Sequence, residues 1–468
     1  MKILLTGATG YIGSHLLHTL VSADHTVVCC VRDTSRFHPP ESIRDSIEII
    51  QADFLDYDSL LNIPEDIDAA YYLMHSMSGS ANYQDMELTC AHNFRTMVSN
   101  TNSQHVIYLG GILNEDNLSD HLASRKAVEA ELAEGTYNFT AIRSGIVVGS
   151  GSGSFEIIRD LVEKLPVMIT PKWLKTRCQP ISILDVMQFL VLSLGNPNTY
   201  NKVFDIGGPN ILTYRQMLLL YAKFRKLRRW IISVPVLTPR LSSYWLYLVT
   251  ATSYRLAHAL VSSMKIDITC KDMELQNLLN IQPIDYNSAL SVALPDLELH
   301  PLSENSSTHT QLTNVPSDWI HTPRHGCVKD IKTAKVIDDE NTLRKIWAIG
   351  GDTGWYYANW LWRFRAVLDT MMGGVGLGQG RRDPNDLQIN DKIDFWRVCY
   401  VSKKDKRLIL FAEMKVPGEA WLEFQINGNT LTQTATFRPQ GILGRMYWYA
   451  LLPFHAFIFR GLINKLAK

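Results

Sequence analysis

The chain has 468 residues, with 46 basic and 46 acidic side chains and a formal net charge of zero. That balance excludes a nucleic-acid partner recognised through bulk charge. A content of 46% hydrophobic and 20% charged residues is that of an ordinary globular chain, long enough for two or three domains. The seven cysteines show no C-x-x-C spacing, which points to reduced thiols and a cytoplasmic location. No signal-peptide pattern opens the sequence. The longest apolar stretch, Tyr244 to Met264, contains Arg255, His258 and several hydroxyl residues, and reads as helix and loop, not as a membrane span.

The stretch with mechanical meaning is KILLTGATGYIG, Lys2 to Gly13. Ile3, Leu4 and Leu5 predict a buried strand, and the apolar periodicity from His15 to Val21 predicts a helix. Between them Gly7 permits a tight turn, Gly10 lets the backbone approach a pyrophosphate, and Gly13 lets the helix pack close to the strand. The first-turn N–H groups and the positive end of the helix dipole then face the phosphates, so Gly7, Thr9, Gly10, Tyr11, Ile12 and Gly13 form a candidate cofactor cradle. The spacing G-x-x-G-x-x-G within TGATGYIG resembles the extended and atypical short-chain dehydrogenase/reductase families, and also the NmrA-like regulators. The resemblance implies a doubly wound parallel Rossmann sheet and a bound NAD(P).

Further strands are predicted at Thr26–Val31, Ile47–Ala52, Ala69–Met74, Val106–Leu109 and Ala141–Val148, alternating with helices such as Ser119–Glu134. The second strand ends at Arg32-Asp33, where this fold contacts the adenosine ribose. Arg32, with Arg36 in support, supplies a cation for a 2′-phosphate and favours NADP; Asp33 keeps NAD open. The resemblance implies that Asp53 bonds the adenine amino group and that Phe54 packs on its ring. His75, at the end of the fourth strand, faces either the cofactor ribose or the substrate, or is an ordinary loop histidine. The glycine-serine loop 149–155 is expected near the nicotinamide.

Short-chain reductases carry a Tyr-x-x-x-Lys pair on the helix after the fifth strand. Here that helix reads His121-Leu-Ala-Ser124-Arg125-Lys126. Aligning Ser124 with the serine of Y-x-x-S-K puts His121 at the tyrosine and Arg125 at the lysine; sliding by one gives Leu122 and Lys126. Gly110 and Gly111 stand where the family carries its serine. Arg125 can hold ribose or phosphate but cannot exchange a proton, and His121 is the catalytic candidate, a general acid with a pKa near neutrality, or else an exposed helix residue.

Beyond residue 155, Pro180-Ile181-Ser182, Asp185-Val186 and Phe204-Asp205-Ile206-Gly207-Gly208 match segments of the extended reductases. Residues 1–296 are expected to form the reductase-like domain, with a small substrate lobe at about 210–290, and 297–325 a linker. In residues 326–468, a strand at Asp330–Ile337, helices at Glu340–Ile349 and Trp355–Met372, and alternating strands with hairpin turns precede an apolar, aromatic final segment from Gly444 to Lys468. The glycine-rich run 373–384 follows a helix and reads as a loop. This order resembles the START-like (SRPBCC) helix-grip class, an α+β domain of antiparallel sheet and long C-terminal helix. The segments PRHGCVKDIK and GRMYWYALLPFHAFIFRG also resemble an uncharacterised domain fused behind atypical reductases. Pro453 and a lid role favour packing for the last helix; contact with a membrane surface is the alternative.

The sequence thus predicts an NADP(H)-dependent oxidoreductase for a small hydrophobic molecule: a carbonyl, enone or quinone/isoprenoid-like ligand. The alternatives are a non-catalytic NAD(P)(H) sensor or structural protein, and a nucleotide-sugar epimerase.

Overall fold

The computed structural model describes residues 1–34, 37, 39, 41–75, 83–114, 120–234, 266–294, 322, 327–371, 381, 383, 386–388, 391–439 and 441–468. Arg36, the stretch 244–264, the segment 297–321, the opening 323–326 and most of the glycine-rich run at 373–384 lie outside them. The chain divides into two compact units at residue 315, one covering most of 1–315 and the other 316–468.

The first unit is built on a seven-stranded parallel sheet. Its strands are β1 (Lys2–Thr6), β2 (Thr26–Val31), β3 (Ile47–Gln51), β4 (Ala69–Tyr72), β5 (His105–Gly111), β6 (Asn138–Ser144) and β7 (Lys202–Ile206), in the order β7-β6-β5-β4-β1-β2-β3. Ile3, Leu4 and Leu5 are fully buried, as are Val27, Val28 and Cys29. Unbroken apolar runs are what a parallel sheet covered on both faces requires. One face is covered by α2 (Tyr83–Ser99) and α3 (Asp120–Ala133), whose Ala91, Phe94, Val98, Val128 and Leu132 join Tyr72 and Tyr108 in one core. On the other face α1 (Tyr11–Ser22) packs with α5 (Ile183–Ser193), and the buried Tyr71 hydroxyl donates to the Leu190 carbonyl at 2.9 Å. The sheet order reverses on either side of β1, so the carboxyl ends of β1 and β4 flank the crevice where such sheets take ligands.

The predicted strand 141–148 is divided. β6 ends at Ser144, and Val147–Val148 pairs instead with Ile181–Ser182. The glycine-serine segment is only partly a loop, because α4 (Gly153–Lys164) begins within it, after Ser152. α4, α6 (Tyr214–Phe224) and Tyr286–Ala293 enclose a second core with Phe155, Met217, Tyr221 and Leu290. Beside it, Val167–Pro171 pairs in parallel with Trp230–Val234, leaving Val167, Ile169, Trp230 and Ile232 exposed.

The second unit is a six-stranded antiparallel sheet. Its strands are β8 (Val328–Lys335), β9 (Lys392–Ile393), β10 (Trp396–Ser402), β11 (Arg407–Ala412), β12 (Gly418–Asn427) and β13 (Thr430–Pro439), in the order β8-β13-β12-β11-β10-β9. Its helices are α7 (Asp339–Trp347), α8 (Asn359–Met371) and the long C-terminal α9 (Gly441–Leu466). Phe459, Leu462, Ile463 and Leu466 of α9 meet Trp355, Trp362, Phe395 and Leu422 in its core. The helix expected from Trp355 starts only at Asn359. Tyr356 and Ala358 adopt φ of +56° and +53°, so the backbone turns back and stacks Trp355 on Trp362 at 4.5 Å between centroids. Pro453 lies inside α9 without ending it. Among the described residues no helix is long and apolar enough to cross a membrane.

Candidate functional site

The cradle is built by contacts that only glycine permits. Gly7 has φ of +71°, and a Cβ there would lie 2.7 Å from the Leu73 carbonyl oxygen beyond β4. The Gly10 N–H closes the turn onto the Gly7 carbonyl at 2.8 Å. A Cβ on Gly13 would overlap that same carbonyl. Thr6 ties β1 to β4, donating to the Tyr71 carbonyl at 3.0 Å and accepting from Leu73 N at 3.2 Å. α1 starts at Tyr11 behind Gly10, which offers no side-chain cap, so its first-turn N–H groups keep their capacity for an anion. Thr9 and Gly10 are exposed at this end, and Ile12 is half-buried. The Tyr11 hydroxyl is buried with no hydrogen-bond partner among the described residues, and burial raises its pKa. A Cβ on Gly149 would overlap that hydroxyl, so the glycine-serine segment closes over Tyr11.

Beyond the neighbouring strands, Arg32 and Asp33 are exposed after β2. Asp53 is half-buried after β3 and accepts from Leu55 N at 3.1 Å. Both reach Cys90 of α2: burial pushes its thiol up to about 11, with Asp53 adding to the rise and Arg32 opposing it. Phe54 departs from the expected pose. Its ring turns into the core, 3% exposed, beside Phe94.

At the other end the structure brings His75 together with three residues of α3. His75 Nδ1 lies 3.1 Å from Glu87 Oε1, and the Ser124 hydroxyl bonds Glu87 Oε2. Rings of His75 and His121 lie 4.8 Å apart between centroids. Arg125 donates through Nη1 to the Leu109 carbonyl at 3.3 Å. His75 Nε2 and Arg125 Nε are buried and have no hydrogen-bond partner among the described residues. A carboxylate only accepts, so with Glu87 ionised both Ser124 and His75 Nδ1 donate to it. His75 Nε2 is then left with a lone pair at the site.

Burial, the Arg125 charge and His75 push His121 down to about 3, which corrects the expectation of a near-neutral acid. Burial also dominates at His75, lowered to about 4, with Arg125 acting in the same direction and Glu87 opposing it. Both imidazoles are therefore neutral at neutral pH. Among the described residues no group of three or more His, Cys, Asp or Glu is arranged to hold a metal.

Glu87 escapes sequence reasoning because it stands 12 residues from His75 and in no motif. Its signal was the face it shares. Ala91, Phe94 and Val98 form the buried stripe of α2, and Glu87 is the acid that interrupts it one turn earlier. Ser124 served only to align a motif, yet it is 5% exposed and holds the carboxylate.

This geometry fits a dinucleotide: a cradle that any Cβ would fill, an N-terminal helix turn, and unpartnered buried polar atoms on Tyr11, His75 and Arg125. Comparison with known proteins agrees with the fold. Residues 3–101 match the NAD dependent epimerase/dehydratase family, and residues 324–462 match a protein family of unknown function, DUF2867. The chain is 24% identical over 225 residues to divinyl chlorophyllide a 8-vinyl-reductase, chloroplastic, of Cucumis sativus, covering 44% of this chain and 53% of that protein. The Arabidopsis thaliana protein of the same name is 21% identical over 226 residues, 45% of this chain and 54% of the relative. The chain thus spans about half the length of the curated relatives it matches. Among solved structures, a nucleoside-diphosphate-sugar epimerase of Staphylococcus aureus aligns with a TM-score of 0.52 at 17% identity, over 62% of this chain and 99% of that one. Triphenylmethane reductase of Citrobacter sp. in complex with NADP(H) aligns at 0.51 and 14%, over 63% and 100%.

Proposed function

We propose that the first unit is an NADP(H)-dependent reductase of a hydrophobic, conjugated substrate, a carbonyl, enone or vinyl-bearing ring system. The observation that carries this reading is the buried Glu87–His75 pair, whose unpartnered Nε2 and neighbouring Arg125 stand at the switch point next to the glycine cradle. Gly7 to Gly13 would hold the pyrophosphate, Arg32 the 2′-phosphate, Asp53 the adenine edge and Arg125 the nicotinamide ribose. The nicotinamide supplies a hydride when bound. The proton that must follow it comes from the small fraction of His75 that carries a second proton, on Nε2, and Glu87 stabilises that imidazolium through Nδ1. The His121 ring, against that of His75, excludes water from this end.

A greasy substrate is supported by the exposed Val167, Ile169, Trp230 and Ile232 of the lobe. It is also supported by the chain's similarity to relatives named as vinyl reductases. The antiparallel sheet and long C-terminal helix support a helix-grip reading of the second unit, as a ligand holder.

The test is NADPH consumption against a panel of quinones, enones and vinyl tetrapyrroles. Turnover with at least one class is expected, and His75→Ala should lower it roughly a hundredfold or more. Tight NADPH binding with no hydride transfer to any of them would replace this reading by the non-catalytic sensor.

A further inference from the structure

The second unit carries an outward apolar face that its own core does not use. On α8, Trp360, Phe364 and Val367 are exposed at positions i, i+4 and i+7, Trp360 by 68%. On α9, Met446, Tyr449, Leu452, Phe454 and Phe457 are exposed, Phe457 by 56%. The two helices meet through side chains. Tyr357, just before α8, packs on Phe457 at 5.3 Å between ring centroids, and Arg365 reaches back to the Tyr447 hydroxyl. Eight large apolar side chains, five of them aromatic, are thus exposed on two helices that touch one another. Clustered exposed apolar side chains of this kind mark a contact site.

Charge identifies the occupant. α9 contains no Asp or Glu, and Asp369, the only acid of α8, is 0% exposed. Against this, Arg363, Arg445, Arg460, Lys465 and Lys468 are exposed. At the C-terminal end of the face a cavity of about 340 Å³ is lined by Tyr357, Phe457, Arg460, Asn464, Lys465 and Lys468. Aromatic and apolar side chains on two helices that carry exposed cations and no exposed carboxylate of their own are the pattern of a helix lying in the headgroup plane of an anionic bilayer. Neither helix is long and apolar enough to span it.

We propose that α8 and α9 dock this protein on an anionic membrane surface. Trp360, Phe364 and Phe457 enter the headgroup–acyl boundary, and a lipid phosphate is seated among Arg460, Lys465 and Lys468.

The experiment is flotation of the purified full chain with liposomes of phosphatidylcholine alone or mixed with phosphatidylglycerol. Binding to the mixed liposomes should exceed binding to the neutral ones at least tenfold and fall as salt rises. The double variant Trp360→Ser/Phe364→Ser and the charge variant Arg460→Glu/Lys465→Glu should each lose at least tenfold, while the cooperative melting transition of the second unit is retained and shows that this unit is folded. The proposal is overturned if the chain fails to float at any composition, or if both variants float like the parent. It is also overturned if the serine variant changes only the oligomeric state, which would give the face to a second copy. Full competition of the parent chain's liposome binding by soluble glycerophosphate would make the basic cavity a free-anion site and overturn it too.

Discussion

His75 sets the pH behaviour expected of the site. Its folded pKa of about 4 lies below the ordinary 6.5, so at pH 7 the imidazole is neutral and only a small fraction carries the second proton. That fraction grows about tenfold per pH unit on acidification. The rate of reduction at saturating NADPH should therefore climb as pH falls from 7 towards 5. Glu87 is the group that favours the imidazolium, so Glu87→Gln should lower the rate at every pH and move the rise to lower pH. A carboxylate that only braced α2 would lower the rate without moving the profile, so kcat against pH separates the two roles. At Arg32 the expectation is narrower. One charge-assisted contact to a 2′-phosphate is worth roughly 1.5–3 kcal/mol, so Arg32→Ala should weaken NADPH about tenfold or more and leave NADH unchanged in a fluorescence titration. A loss shared equally by both dinucleotides would remove Arg32 from the 2′-phosphate and leave Asp33 to set the preference. The glycines and Arg32 were legible in the sequence because their positions follow from one strand and one turn. The Glu87 contact was not, since only the packing of α2 under β4 brings it to His75.

At the scale of elements, the strands of the first sheet were readable because both of their faces are apolar, and the hairpins of the second because short polar turns separate alternating runs. The errors fell where tertiary contacts overrule local pattern. The helix expected from Trp355 is delayed by the stacking of Trp355 on Trp362, and the strand at 141–148 breaks so that Val147 can pair with Ile181. Asp185 illustrates a cost that α5 carries. It sits in the first turn, 2% exposed, and accepts from Ile284 N at 3.1 Å. Burial nevertheless raises its pKa from 3.8 to about 7. The folded state then holds this proton more tightly than the unfolded chain. The group's contribution to stability is full below about 4 and is lost as pH rises towards 7. Asp185→Asn keeps an acceptor oxygen without the charge. It should flatten that part of the melting temperature–pH curve and raise the melting temperature above pH 7. Parallel curves for the two proteins would show that Asp185 is not charged at the cost inferred.

For the whole molecule, the consequence of the sequence order is two separately built cores. One set is centred on Tyr72, Phe94 and Tyr108 with Phe155 and Tyr221 in the lobe. The other is centred on Trp355, Trp362 and Phe395 with the end of α9. The glycine cradle and the His75 cluster belong entirely to the first. A ligand stabilises only the cooperative unit that binds it, by RT ln(1 + [L]/Kd), about 2.7 kcal/mol at a hundredfold excess over Kd. Calorimetry of the full chain should therefore show two transitions. NADPH should raise one of them by several degrees and leave the other where it was. Gly13→Val, which puts a side chain against the Gly7 carbonyl, should abolish that shift and lower the same transition, because the clash separates α1 from β1. The other transition, which melts the sheet under α9, should be unmoved by the substitution. If NADPH instead lifted a single transition as a whole, the two cores would melt as one cooperative structure, and binding at the cradle would be felt at the aromatic face of α8 and α9. Addition of anionic liposomes would then move that same transition. With two independent units, liposomes and NADPH should each shift a different one.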